Sequence, residues 1–125
     1  MRWRFLTVTV ICYGLTILVQ RVLRPAIDAP SWVALLLGVA PSFLYGAGFV
    51  LAAAAFRRLA PGYAYWGAAG TLAYELLQPF VAGRTFDPWD LVAGALGCGL
   101  ALAVVERHRR QSPSTAAVAA TVRAA

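Results

Sequence analysis

Residues 75–99, ELLQPFVAGRTFDPWDLVAGALGCG, decide how this chain is read. Glu75, Gln78, Arg84, Asp87 and Asp90 fall between two apolar runs, and three of the chain's five acidic residues are among them. Pro79 closes the run before the cluster. Asp87-Pro88-Trp89-Asp90 opens the run after it. Asp87 stands as N-cap and Pro88 at the first helical position. Asp90 stands at the third, where a carboxylate complements the positive end of a helix. The stretch therefore predicts two apolar helices joined by a short polar connection.

Composition sets the medium for those helices. The chain has 125 residues, enough for one domain, with 61% hydrophobic and 13% charged residues. A soluble domain carries about 25% charged residues, so the deficit points to lipid and to an all-α, polytopic membrane protein. The net charge of +6 comes from 11 arginines and no lysine, and the arginines stand at the ends of apolar runs. That placement marks membrane-flanking charge rather than a nucleic-acid surface. Cys12 and Cys98 lie inside apolar runs and read as small packing residues. No metal-ligand spacing is present, and no cofactor is implied.

The sequence predicts about four transmembrane helices, over residues 5–23, 41–56, 62–78 and 89–105. The first follows the basic start MRWR and ends at Arg24-Pro25. Pro30, just past a candidate cleavage point, argues for a retained helix rather than a signal peptide. The apolar run over residues 32–56 is long for one span and too short for two. Either it is one tilted, kinked helix, or residues 32–40 are interfacial and Pro41 starts the span; proline suits the first helical turn, which favours the second. Ala60-Pro61-Gly62 reads as a turn. Residues 1–110 form the single helical domain, His108 falls in a solvated basic exit, and residues 111–125 read as a mobile cytoplasmic tail.

Four spans would place Arg2, Arg4, Arg57, Arg58, Arg107, Arg109, Arg110 and Arg123 on one side and Arg21, Arg24 and Arg84 on the other. The positive-inside rule then puts both termini in the cytoplasm and the polar cluster at the outer face. Trp3, Trp32, Trp66 and Trp89 fall near helix ends, as interfacial aromatics do. Gly67, Thr71, Glu75 and Gln78 share one stripe of the third helix. Ala93, Gly94 and Gly97 on the fourth offer small residues for close approach, so these two helices are expected as a tight hairpin.

Each polar residue has a structural role open to it. Asp87 can simply cap, Asp90 can simply answer the helix dipole, Gln78 can satisfy a helix end and Tyr74 can join the aromatic belt. Glu75 and Arg84 ask for more, because ionisable groups at membrane depth usually serve a purpose. One purpose is a structural ion pair. Another is chemistry, with Arg84 holding a phosphate while a carboxylate moves a proton.

The pattern E-x-x-Q, an arginine six residues on, D-x-x-D and a glycine seven residues further resembles the VanZ-like family of bacterial membrane proteins. Here these are Glu75, Gln78, Arg84, Asp87, Asp90 and Gly97. Pro41-Ser42-Phe43-Leu44 is similar to the family's second segment, and the resemblance covers residues 41–105. The chain departs from it at Gly94 and Ser42, where such proteins often carry asparagine. The resemblance implies a multi-pass protein of the bacterial inner membrane, in a family named for a link to resistance to the glycopeptide teicoplanin.

The expected function is therefore work on the cell envelope through an outward Glu/Arg/Asp cluster. Its partners would be the bilayer and an anionic lipid or lipid-linked precursor. Two alternatives stay open: a non-enzymatic interaction or assembly subunit, including a homo-oligomer, and a small transporter. No nucleophile–base pair or metal set marks an enzyme. The orientation is testable directly. A cysteine placed at Thr85 is expected to react with a membrane-impermeant thiol reagent in intact cells, and one at Ala60 to stay protected; the opposite labelling would invert the topology.

Overall fold

In the computed structural model the described residues are 2–26, 30–56, 61–81 and 87–111. They form four helices, and among them there is no strand. Helix α1, Arg2–Leu18, runs on through a π turn, Val19–Leu23, and a last turn, Arg24–Ala26. Helix α2 is Ser31–Phe56, and α3 is Pro61–Leu77 with a 3-10 turn at Gln78–Phe80. Helix α4 is Pro88–Gln111. Three helical stretches, Trp3–Ala26, Ser31–Phe56 and Pro88–Gln111, are long and apolar enough to cross a membrane. Helix α3 has 17 residues. Val10, Ile11, Ile17, Leu36, Leu96 and Leu100 are exposed on the outer faces, which fits lipid contact and makes this a membrane-associated helical protein.

The second helix is the one long helix of the two alternatives, not the favoured start at Pro41. It does not start at Pro41 but just after Pro30, whose carbonyl accepts from the Val33 and Ala34 N–H groups at 2.9 and 3.0 Å. Pro41 sits inside it, buried. A proline there has no N–H for the carbonyl four residues earlier, that of Leu37. Such a gap is tolerated at membrane depth when neighbouring helices surround it, and α2 is the one helix that packs against all three others.

What draws the helices onto α2 is the absence of side chains. A methyl group built on Gly97 of α4 would stand 2.1 Å from the Phe43 carbonyl oxygen, and one on Gly46 of α2 2.7 Å from the Gly94 oxygen. One on Gly67 of α3 would meet Ala53 at 3.1 Å, and one on Gly48 of α2 would meet Cys12 of α1 at 3.2 Å. Helices α3 and α4, expected as the tight pair, do touch: a methyl group on Gly94 would meet Glu75 Cγ at 3.9 Å. The closest approach of these glycines is nevertheless α2 to α4. The core is correspondingly small-grained, with Ala47, Val50, Ala54 and Ala55 of α2 against Ala64 and Ala68 of α3 and Ala101 and Val105 of α4.

Helix α1 is held differently. Among the described residues its backbone comes within 8 Å, Cα to Cα, of no helix other than α2. Its buried stripe is Phe5, Thr9, Cys12, Thr16 and Val19, and Thr9 Oγ1 donates to the Gly48 carbonyl at 3.3 Å. At the end of the bundle that carries both termini of the helical core, Phe5 meets His108 of α4 edge-on, with centroids 5.5 Å apart. His108 is thus packed rather than solvated. On the same end Glu106 pairs with Arg109 at 2.9 Å and with Arg110 at 3.6 Å. The Arg57–Arg58 pair, the start of the Ala60-Pro61-Gly62 turn and residues 112–125 of the expected tail lie outside the described residues.

The seam gives a stability test. Overpacking a tight contact costs about 1–3 kcal/mol, so Gly97→Ala is expected to lower the unfolding temperature in detergent. Nothing lies within 4 Å of a methyl group on Gly99, and Gly99→Ala, which gains helix propensity without a clash, is expected to melt at or above the wild-type temperature. Equal melting of the two variants would refute the α2–α4 seam.

Candidate functional site

The buried face of α3 is the stripe of Ala64, Gly67, Ala68, Thr71 and Glu75, continued by Gln78 in the following turn. Pro79 cannot donate to the helix ladder, and the chain tightens there into its 3-10 turn. This keeps Gln78 on the inner side, 8% exposed, beside Glu75 at 4%. Gln78 Nε2 donates to Glu75 Oε2. Thr71, 2% exposed, turns its hydroxyl back to the Gly67 carbonyl at 3.1 Å, so it adds no free polarity.

Helix α4 opens as its sequence demands. Asp87 Oδ1 accepts the Trp89 N–H at 2.9 Å, and the Asp87 carbonyl accepts the Asp90 N–H at 3.1 Å. Asp87 is an exposed cap and does not reach the interior. Asp90 is half-buried and faces inward. Of the five residues singled out from sequence, Glu75, Gln78 and Asp90 come together, Asp87 stays at the surface, and Arg84 lies outside the described residues.

The three meet in a cavity of about 360 Å³ that all four helices line. Helix α1 gives it Tyr13, Thr16, Ile17 and Gln20, and α2 gives Gly38, Pro41, Ser42 and Tyr45. Tyr74 of α3 completes the wall. Rings from three helices meet there. Tyr13 packs edge-on to Tyr45 at 5.8 Å between centroids, and Tyr45 is tilted against Tyr74 at 6.4 Å. Tyr74, read from sequence as a belt residue, is a wall residue, although 44% of it remains exposed.

Two backbone irregularities border this cavity. One is Pro41 in α2. The other is the π turn of α1, where the Arg24 N–H reaches the Val19 carbonyl five residues back. Gln20 lies within that turn and lines the cavity. Single π turns recur at functional sites. Both features lie towards the end of the bundle away from Phe5 and His108.

The chemistry of the lining is acceptor-rich. It holds two carboxylates, two amides, three phenols and the hydroxyls of Thr16 and Ser42. None of these lining residues is basic. Among the described residues no group of three histidine, cysteine or acidic side chains stands close enough to hold a metal ion. Such a surface takes hydroxyl, amide or ammonium donors. Sequence reading missed Tyr13, Thr16, Gln20 and Tyr45. The available signal was their spacing: Tyr13, Thr16 and Gln20 recur at three and four residues along one face of an apolar helix.

Fold and cavity together define a membrane-associated α-helical protein with a polar chamber inside an apolar bundle. No family model matches the chain, and no solved structure matches it. Over 46 residues, 36% of the chain, it is 46% identical to an uncharacterised protein of Schizosaccharomyces pombe. The match spans 28% of that relative's length.

The buried amide–carboxylate contact has a measurable consequence. Removing a donor from a buried acceptor costs about 1–3 kcal/mol. Gln78→Leu is therefore expected to destabilise the protein in detergent, while Asp87→Asn, which keeps a capping oxygen, leaves the melting temperature within about a degree of wild type. Wild-type stability of Gln78→Leu would show that Glu75 does not depend on it.

Proposed function

We propose that the chain is a four-span, VanZ-like protein of the bacterial cell envelope that binds an envelope lipid or lipid-linked precursor in its polar chamber. One observation carries this reading: Glu75 is buried beside Gln78 and shares a cavity with Asp90 and three tyrosines, inside a bundle that is otherwise apolar. A charged side chain at mid-bilayer costs roughly 3 kcal/mol on insertion scales. Glu75 lies within a turn of the helix end and meets only part of that cost, which a chain that needed only to span the membrane would still avoid.

Depth supports the reading. Tyr13 lies about 16 Å along α1 from Arg2 at 1.5 Å per residue. The chamber thus runs from about the middle of a 30 Å hydrocarbon layer towards the end that holds Gln20, Gln78 and Asp90. A ligand entering from that end would offer hydroxyls and amides to the carboxylates and phenols. Arg84, in the connection between Gln78 and Asp90, is the residue suited to a phosphate. By the arginine balance this end faces outward and both termini are cytoplasmic. In this reading α3 is the short third span, and α3 with α4 the hairpin that carries the site.

An assembly-subunit role is the second reading, because Ala69, Gly70 and Ala73 leave small residues exposed on α3, a surface that suits close helix approach.

Complementation separates the two. A deletion strain is given wild type, Glu75→Gln, Asp90→Asn or Arg84→Ala, and each protein is quantified in the membrane. Binding in the chamber predicts variants that accumulate normally yet leave the cells sensitive to a lipoglycopeptide. Full complementation by Glu75→Gln and Asp90→Asn, with a co-purifying or cross-linked partner, would replace the binding reading with assembly.

A further inference from the structure

A second space lies at the opposite end of the bundle, and its chemistry is the reverse. It is a groove of about 330 Å³ between α1, α2 and α4. Val8 and Cys12 wall it on α1, Leu44 and Leu51 on α2, and Leu100 and Val104 on α4. Arg4 and His108 line it at the terminal end. The groove exists because α1 and α4 keep their backbones more than 8 Å apart, Cα to Cα, whereas packed helices have axes about 8–10 Å apart and bring some backbone atoms closer than that.

We propose that this groove binds one acyl chain of an anionic phospholipid, with the lipid phosphate on Arg4 beside His108. Three observations carry it. The walls are apolar and the end is basic, which is the polarity of a lipid read from tail to headgroup. The dimensions agree: from Arg4 to Cys12 is about 12 Å of helix, close to the roughly 15 Å hydrocarbon depth of one leaflet, half of the full layer. The charge agrees as well. Glu106, an acid on this end, is already occupied by Arg109 and Arg110, so an incoming phosphate meets basic side chains rather than a bare carboxylate. A helix of a second copy is about 10 Å across and does not fit a groove of this volume. The proposal does not depend on the polar chamber or on the envelope reading.

The test uses the full chain in neutral detergent, titrated with palmitoyl-oleoyl phosphatidylglycerol or the matching phosphatidylcholine, with bound lipid counted by native mass spectrometry. The wild type is expected to hold one phosphatidylglycerol in preference to phosphatidylcholine. Arg4→Gln is expected to weaken phosphatidylglycerol binding about fivefold, the equivalent of the ~1 kcal/mol that one basic residue contributes at an anionic surface. Val104→Trp and Leu100→Trp alter exposed positions of the wall and are expected to abolish retention of the lipid without lowering the lipid-free melting temperature. Two variants guard against one that misfolds. Equal binding of both lipids by the wild type would overturn the proposal. So would undiminished binding by a folded Trp variant, or a loss in Arg107→Gln as large as in Arg4→Gln, since Arg107 does not line the groove.

Discussion

The approach of Gly97 to the Phe43 carbonyl is the contact on which the rest of the bundle is set. A hydrocarbon solvent gives helices no hydrophobic reason to associate, so they gain by dispersion wherever backbones come close. Here α4 lies against the α2 backbone through Gly46, Gly94 and Gly97. Helix α3 joins the same helix through Gly67. With α2, α3 and α4 fixed in this way, Glu75 comes to rest over Gly94. That glycine leaves room for the carboxylate, its own methyl-sized space ending 3.9 Å from Glu75 Cγ. The seam and the site are therefore one arrangement: a larger residue at Gly94 would take space from Glu75.

Helix α1 stands outside that trio. It packs its backbone on α2 alone, through Gly48 and Thr9, and so leaves a cleft along its other flank. The polar chamber and the apolar groove both border α1 and α2, towards opposite ends of the bundle. Neighbouring residues divide them. On α1, Cys12 faces the groove and Tyr13 the chamber; on α2, Leu44 faces the groove and Tyr45 the chamber. A helix turns about 100° per residue, so the change of partner between adjacent residues is a property of geometry and needs no break in the chain.

Much of this was legible in sequence because the signals were local. The helices, the stripe of Glu75 and Gln78 on α3, the cap at Asp87 and the place of Asp90 in the first turn of α4 each follow from periodicity or from turn chemistry within a few residues. What the sequence hid depends on contacts between distant segments. Pro41 carried the local signal of a helix start, yet α2 passes through it, because three neighbours surround that helix and the turn after Pro30 already supplies a start. The small residues of α4 were read as a seam for α3, since adjacent hairpin helices usually pair; the choice of α2 instead rests on Gly46, which no pattern within residues 75–99 reveals. The contributions of Tyr13, Thr16, Gln20 and Tyr45 were hidden for the same reason: each looks like an isolated polar residue until α1 and α2 are laid together.

The division of polarity between the two spaces also bears on how such a chain enters a membrane. Burying one ionisable group costs roughly 3 kcal/mol at the bilayer centre and less towards the interface. Glu75 is followed within a turn by Pro79, and its partner Gln78 stands at the helix end, so the pair meets the shallow part of that cost. Tyr13 and Tyr45 lie nearer the middle of their helices, where a phenol that finds a partner is cheap and a carboxylate is not. The chamber's carboxylates thus lie towards the end of the bundle that holds Gln20 and Gln78, with the phenols of Tyr13 and Tyr45 nearer the middle of their helices. The bundle thus keeps its polar and its apolar space apart, and the same four helices carry both.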